Sequence, residues 1–372
     1  MKMKLHFNKL WFTCLILILA LGVLAFAAGE QDEKFTIGHP KVRKVMELQH
    51  AATPVLMSME DVLGTAVGQD DDGEATLLIY MNLEGKNPAK NARQIPSDIA
   101  GTRVSVQFTE PFVAMGSKPG GGVSHTAKQA TPIQLGTSGG GRLDSANGYC
   151  CGGTLGSLVQ VNGIKYILSN YHVFESDIVT GGNGRVATTG DYVIQPGLID
   201  VGCNAAGAQN VGRLVTIQSL PSSNVDASVA QVISGMVNSS GAILEIGTIS
   251  ATTVSASLNQ GVKKSGRTTG LSRSKVTGLN GTISVRYDNE CAGGTAFTKT
   301  FAGQIIISNQ SRRFLNSGDS GSLMVEDVAS SPRAIGLLYA GSSSTAVANP
   351  IGEVLTFIGS KLGGTATMVG GN

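Results

Sequence analysis

The stretch Asn316-Ser317-Gly318-Asp319-Ser320-Gly321-Ser322, leading into the apolar run Leu323-Met324-Val325, is where this 372-residue chain could do covalent chemistry. A serine hydroxyl is a poor nucleophile until a neighbouring base takes its proton. Flanking glycines let the backbone turn sharply and aim N–H groups at a developing oxyanion. Taken alone, the same residues also read as a glycine-serine surface turn. What separates the two readings is whether the chain supplies a base and an orienting carboxylate.

From residue 126 onward the chain holds one histidine, His172, in Ile167-Leu168-Ser169-Asn170-Tyr171-His172-Val173-Phe174. It follows the second strand of a hairpin turned by Asn162-Gly163, the strongest short-range hairpin signal. A strand end can hold an imidazole rigidly, although a histidine there is often only a hydrogen-bonded structural residue. The carboxylate should accept the other ring N–H, fixing the tautomer and stabilising the imidazolium. Asp226 stands at the head of the apolar strand Ala227-Ser228-Val229-Ala230 and is preferred to Asp191 and Asp200, which lie in glycine-rich loops. Its bland reading is a turn residue opening a strand.

The elements around these residues are short. Between 146 and 362, β-branched runs alternate with Gly, Asn and Ser, and helical period appears only at 352–362. Strands are expected near 154–161, 164–168, 192–195, 211–217, 227–233, 282–287, 304–308, 322–325 and 334–339, an all-β barrel or sandwich pattern. Fifty glycines, nearly twice the usual share of about 7%, fit such a turn-rich fold. Residues 30–116 read as a small α+β domain with no visible chemistry. It has a helix-like pattern at Val42, Val45, Met46 and Leu48, then strands near 65–67, 75–81, 103–108 and 112–115. The acidic run Asp70-Asp71-Asp72-Gly73 lacks calcium-loop spacing and reads as a solvated hairpin turn. Residues 117–145, with two triple-glycine runs, read as a Gly/Ser-rich linker.

Residues 1–27 read as a signal peptide: Lys2, Lys4 and Lys9 precede an apolar run from Leu10 to Phe26, and Ala25-Phe26-Ala27 supplies the cleavage pattern. The competing reading is an uncleaved membrane anchor, since the run approaches the roughly 18 residues that span a bilayer. Cleavage leaves 25 basic against 26 acidic residues, without the positive footprint of a nucleic-acid-binding protein. It also leaves Cys150, Cys151, Cys203 and Cys291, an even number suited to disulfides in an oxidising compartment, with the pairing open. Their spacing does not suit zinc, and no metal or cofactor is expected.

The order His172, Asp226, Ser320, the Gly318-Asp-Ser-Gly321 segment and Cys151-Gly-Gly-Thr-Leu155 together resemble the chymotrypsin-fold (trypsin-like) serine peptidases. Bacterial secreted members show patterns similar to Ser265-Gly-Arg-Thr-Thr-Gly270 and Ala348-Asn-Pro-Ile351 as well. The resemblance covers about 146–362. It implies two six-stranded β-barrels with the site in the cleft between them, Ser320 as nucleophile, His172 as general base then acid, and Asp226 as orienter. The N–H groups of Gly318 and Ser320 would form the oxyanion hole, and Asp319 would be a buried scaffold carboxylate. Gly341 and Ser342 would contribute to the pocket wall. Phe314 stands where trypsins carry a pocket-floor aspartate, so a preference for Lys or Arg is not implied. Val173 replaces a cysteine of the animal enzymes, so the bridge expected from Cys151 does not form there, and no activation sequence is evident.

The expected function is an exported serine endopeptidase acting on polypeptides, without stable membrane association once the signal is cut, and with residues 30–116 in a regulatory or folding role. The alternative is a catalytically silent trypsin-fold protein that binds peptides or partner proteins; a Ser320–His172 hydrogen bond of about 3 Å would discriminate. An α/β-hydrolase esterase is excluded, because the nucleophile-elbow spacing is absent and the histidine precedes the serine.

Overall fold

The computed structural model describes residues 34–114, 123–146, 149–175, 187–287 and 296–371. The expected signal peptide, Cys291 and residues 117–122 of the expected linker lie outside them. A proline at the first turn, capped by the His39 side chain, starts the helix Pro40–Leu56. This helix buries Val42, Val45, Gln49 and Leu56. It packs on β1 (Val62–Gln69) and β2 (Ala75–Asn82), which pair antiparallel. The acidic turn between them is held by the Asp70 carboxylate, which accepts from the N–H groups of Asp72 and Glu74. A crossover through the helix Pro88–Ala92 and the two-residue β3 (Asp98–Ile99) brings β4 (Thr102–Thr109) parallel to β2, and β5 (Phe112–Ala114) follows.

The next strands are β6 (Thr137–Gly141), the small pair β7 (Ser145–Ala146) and β8 (Tyr149–Cys150), β9 (Gly153–Leu155), β10 (Ser157–Val161) and β11 (Ile164–Ser169). Then come β12 (Tyr192–Gln195), β13 (Gln209–Val215) and β14 (Ser228–Val232). Asn162 and Gly163 both take positive φ, 51° and 80°, as the hairpin turn between β10 and β11 requires. β9 and β10 act as one strand bent at Gly156, whose N–H donates to the Leu168 carbonyl at 2.9 Å. The ring β9/β10, β11, β14, β13, β12, β6 therefore closes on itself as a six-stranded barrel.

The second barrel is built from β15 (Gly261–Gly266), β16 (Gly270–Tyr287), β17 (Phe297–Ser308), β18 (Leu323–Glu326), β19 (Ala334–Gly341) and β20 (Thr345–Pro350). Its order is β15, β18, β19, β20, β17, β16, and the β15–β16 pairing closes it. The helix Ile351–Leu362 stops at Gly363 (φ 69°), and β21 (Thr367–Met368) pairs back onto β10. Ile351, Val354 and Ile358 of this helix pack into the core of the first barrel. The fold is thus the double six-stranded barrel that the resemblance implies, preceded by an α+β part.

Two boundaries differ from expectation. The α+β part does not stand apart: β1 pairs with β16 at Gly64–Ile283 and Thr65–Thr282, so β1, β2 and β4 extend the second barrel's sheet. Residues 35–372 form one compact unit. The expected linker 117–145 instead contributes β6, whose Thr137–Gly140 is buried. Its glycines answer to crowding, because a Cβ on Gly139 would lie 2.3 Å from Leu155 and 2.9 Å from the Ile194 carbonyl. A composition that usually marks a flexible tether here marks a strand squeezed between neighbours.

Candidate active site

His172 and Asp226 are set by one strand pairing. β11 and β14 pair with Ser169 opposite Ser228, so the residues just beyond β11 and just before β14 lie side by side. His172 sits in the single turn Tyr171–Phe174 after β11, and the Asn170 side chain donates to the Asp226 carbonyl at 2.7 Å. The fully buried Asp226 carboxylate receives three donors. Tyr171 N–H reaches Oδ1 at 2.7 Å, His172 Nδ1 reaches Oδ2 at 2.6 Å, and the Tyr287 hydroxyl reaches the same Oδ2 at 2.9 Å. Asp226 N–H donates to Asn349 Oδ1, and Asn349 to Gln304, which ties this corner to the second barrel. Asp200 is engaged elsewhere, bidentate with Arg267, and Asp191 caps its own loop at Thr188.

Ser320 enters from the second barrel on a loop with two left-handed glycines, Gly318 (φ 96°) and Gly321 (φ 91°). A Cβ on Gly321 would sit 2.2 Å from Ser169 Oγ and 2.4 Å from the Thr154 carbonyl, so only glycine lets the two barrels meet there. Thr154 N–H donates to the Ser320 carbonyl at 2.9 Å, and the Thr154 hydroxyl to the Gly318 carbonyl at 2.9 Å. The Ser320 hydroxyl lies 3.4 Å from the Tyr339 carbonyl. His172 Nε2 is buried and makes no hydrogen bond among the described residues. The expected Ser320–His172 hydrogen bond is therefore not made in this structure.

Asp319 is the scaffold carboxylate of the loop. It accepts from the N–H groups of Thr268, Thr269 and Asn316 and from the Thr269 hydroxyl, and pairs with the fully buried Lys264 ammonium at 3.1 Å. Burial pulls the Lys264 pKa down, and the Asp319 carboxylate pulls it partly back up.

Of the expected pocket residues, Gly341 and Ser342 lie at the end of β19, whereas Phe314 is buried in a core cluster with Val42, Leu315 and Met324. The Asn309 side chain joins these segments, accepting from Phe314 and Leu315 N–H and donating to the Leu315 and Ser342 carbonyls. The edge of β19 beyond the Ser320 loop is occupied by the N-terminal part. β5 pairs antiparallel with it, Ala114 opposite Ala340 and Val113 opposite Gly341, and the Thr109 hydroxyl lies 2.6 Å from that of Ser342. Sequence reasoning missed the contacts of Tyr287 and Lys264, which carry no local motif; it placed a strand near 112–115, where β5 lies, but not its pairing with β19. The open disulfide question is answered in part by a Cys150–Cys203 bridge.

The family model of the Nal1 C-terminal domain matches residues 220–349, a stretch that contains Asp226 and Ser320 but not His172. No curated protein matches the chain. Among solved structures it is similar to a glutamic-acid-specific serine protease described as using a histidine triad in substrate binding, at 17% identity and a TM-score of 0.41, covering 63% of this chain and 100% of that one. Thermobifida fusca protease A gives 18% identity and a TM-score of 0.40, covering 64% and 99%. Cellulomonas bogoriensis chymotrypsin gives 20% and 0.36, covering 59% and 91%.

Proposed function

We propose that the chain is an exported serine endopeptidase, with residues 1–27 as its signal, that hydrolyses peptide bonds through Ser320, His172 and Asp226. The observation that carries this reading is the 2.6 Å contact from His172 Nδ1 to buried Asp226, which makes Nδ1 the N–H and leaves the Nε2 lone pair as the base. In the reaction, Ser320 Oγ turns from the Tyr339 carbonyl to Nε2, gives up its proton there and bonds to the scissile carbonyl carbon. The Gly318 and Ser320 N–H groups stabilise the oxyanion. Collapse of the intermediate breaks the C–N bond, and the imidazolium passes its proton to the leaving amine. Water then attacks the acyl-enzyme with His172 again as base, and Ser320 recovers its proton. A polypeptide substrate adds as a strand to the β19 edge, its backbone read at Ala340 and Gly341. Because β5 occupies that edge, the N-terminal part regulates access.

The test is labelling of the purified chain with a serine-directed fluorophosphonate, which needs an activated hydroxyl and no knowledge of the substrate. A single adduct on Ser320, absent in Ser320→Ala and His172→Ala, is the expected result. No adduct on demonstrably folded protein overturns it and leaves the catalytically silent peptide-binding protein.

A further inference from the structure

Tyr287 reaches the Asp226 carboxylate from the opposite barrel. It is the last residue of the 18-residue β16, and its hydroxyl donates to Asp226 Oδ2 at 2.9 Å, the oxygen that also takes His172 Nδ1. Its position is fixed on all sides. The ring stacks on Phe297 with centroids 5.1 Å apart, tilts against Phe301 at 6.3 Å, and meets the His172 ring edge-on at 6.0 Å. The strand end that carries it is gripped by the N-terminal part, with Val285 opposite Phe112 and Arg286 opposite Val113. Phe112 is fully buried in the cluster that contains Tyr171, Tyr287 and Tyr339.

We infer that Tyr287 is a positioning residue for the His172–Asp226 pair, its hydroxyl fixing Oδ2 so that the aim of the imidazole depends on how the second barrel and β5 seat against the first. This rests on the peptidase reading for its consequence in catalysis. A carboxylate with donors on both oxygens cannot swing, and a second donor on Oδ2 disperses charge that would otherwise favour the imidazolium. The titratable groups around Asp226 are His172 and Glu175 on one side, and Tyr287 of β16 and Tyr339 of β19 on the other. Burial and the Asp226 charge hold both tyrosine hydroxyls well above their ordinary pKa, so Tyr287 stays a donor wherever the site works.

Tyr287→Phe keeps the ring stack and removes one oxygen atom. In the full chain, the maximal rate of Ser320 labelling falls roughly tenfold, the value of one hydrogen bond to a charged group, with probe affinity unchanged. The acid limb of the labelling-rate profile moves up by about half a pH unit or more, because the less-compensated carboxylate favours the imidazolium. In chain labelled with ¹⁵N-histidine, the His172 Nδ1–H proton resonance moves downfield as Oδ2 loses its competing donor. Phe297→Leu, which loosens the ring but keeps the hydroxyl, shifts the same readouts in the same direction by less. A purely structural tyrosine lowers the melting temperature while leaving the limb and the resonance in place, and that result overturns the inference. If the wild type is not labelled at all, the peptidase reading fails, while the resonance shift still decides whether Tyr287 holds Asp226.

Discussion

Two histidine–carboxylate pairs are almost identical in length and opposite in what they leave over. His172 Nδ1 meets Asp226 at 2.6 Å, and its Nε2 has no hydrogen bond among the described residues. His125 Nε2 meets Glu245 at 2.5 Å, and its Nδ1 meets the Gly136 carbonyl at 3.0 Å. With a partner at each nitrogen, both edges of the His125 ring are engaged, and the residue is a pin. His172 has one nitrogen committed and one spare, which is the arrangement a general base needs. Glu245 also contributes to the field at Lys264, the partner of Asp319, which links the His125 pair electrostatically to the Ser320 loop. Distance alone does not distinguish a base from a brace; the second nitrogen does.

The largest expected effect tests that distinction directly. His172→Ala lowers Ser320 labelling on the order of a thousandfold or more, and also lowers stability by about 1–3 kcal/mol because buried Asp226 loses one of its three donors. His125→Ala leaves labelling within about twofold and lowers stability by about 1–2 kcal/mol, as the buried Gly136 carbonyl loses its 3.0 Å partner and keeps only the Ser265 hydroxyl at 3.4 Å. Comparable loss of labelling in both variants means that the unengaged Nε2 is not what sets His172 apart from His125.

A smaller effect asks whether β5 blocks the site or only braces it. In Val113→Pro the ring removes an N–H and fixes φ, so the pairing with Gly341 and Arg286 weakens. If β5 blocks the β19 edge, a peptidyl phosphonate labels Ser320 about fivefold faster, the equivalent of about 1 kcal/mol of lost pairing, while a small fluorophosphonate does not. If β5 serves only to seat Tyr287, both probes slow together.

The parts of the site that were legible in the sequence are those written locally. Gly318-Asp-Ser-Gly321 is a motif complete within four residues, and His172 and Asp226 each sit at a readable strand end, next to a pairing that the Asn162-Gly163 hairpin half specifies. What escaped depends on contacts across the chain. The Tyr287 hydroxyl meets a carboxylate 61 positions away. Lys264 belongs to Val262-Lys263-Lys264-Ser265, a segment with no alternation to mark it as buried. β6 was hidden because glycine means freedom in a tether and tight packing in a barrel, and composition is the same in both. Most of β16, rich in Gly, Ser and Asn, failed the β-propensity test for the same reason: its pairing with β1, β15 and β17 supplies what its side chains do not.

Glu175 is buried as Asp226 is, whereas the Glu245 side chain is 44% exposed, and Glu175 has no histidine at all. Glu175, at the end of the His172 turn, accepts from Ile217 N–H, Gln218 N–H and the Ser228 hydroxyl, all neutral donors. Burial pushes its pKa up, those three hydrogen bonds pull it down, and the Asp226 charge adds a further push; burial wins. Between the ordinary carboxylate pKa and the raised one, the native chain keeps a proton that the unfolded chain has released, so unfolding free energy falls as pH rises. The contribution is fully present below the ordinary value and lost above the raised one. Glu175→Gln abolishes that slope, since the amide does not titrate, and leaves a constant offset from turning an NH₂ toward one donor. Urea midpoints taken from pH 4 to pH 8 therefore show the wild type losing ground to the variant as pH rises. A wild-type curve parallel to the variant's across that range means that the three neutral donors offset burial completely, and that a carboxylate in this barrel needs no imidazole to stay charged.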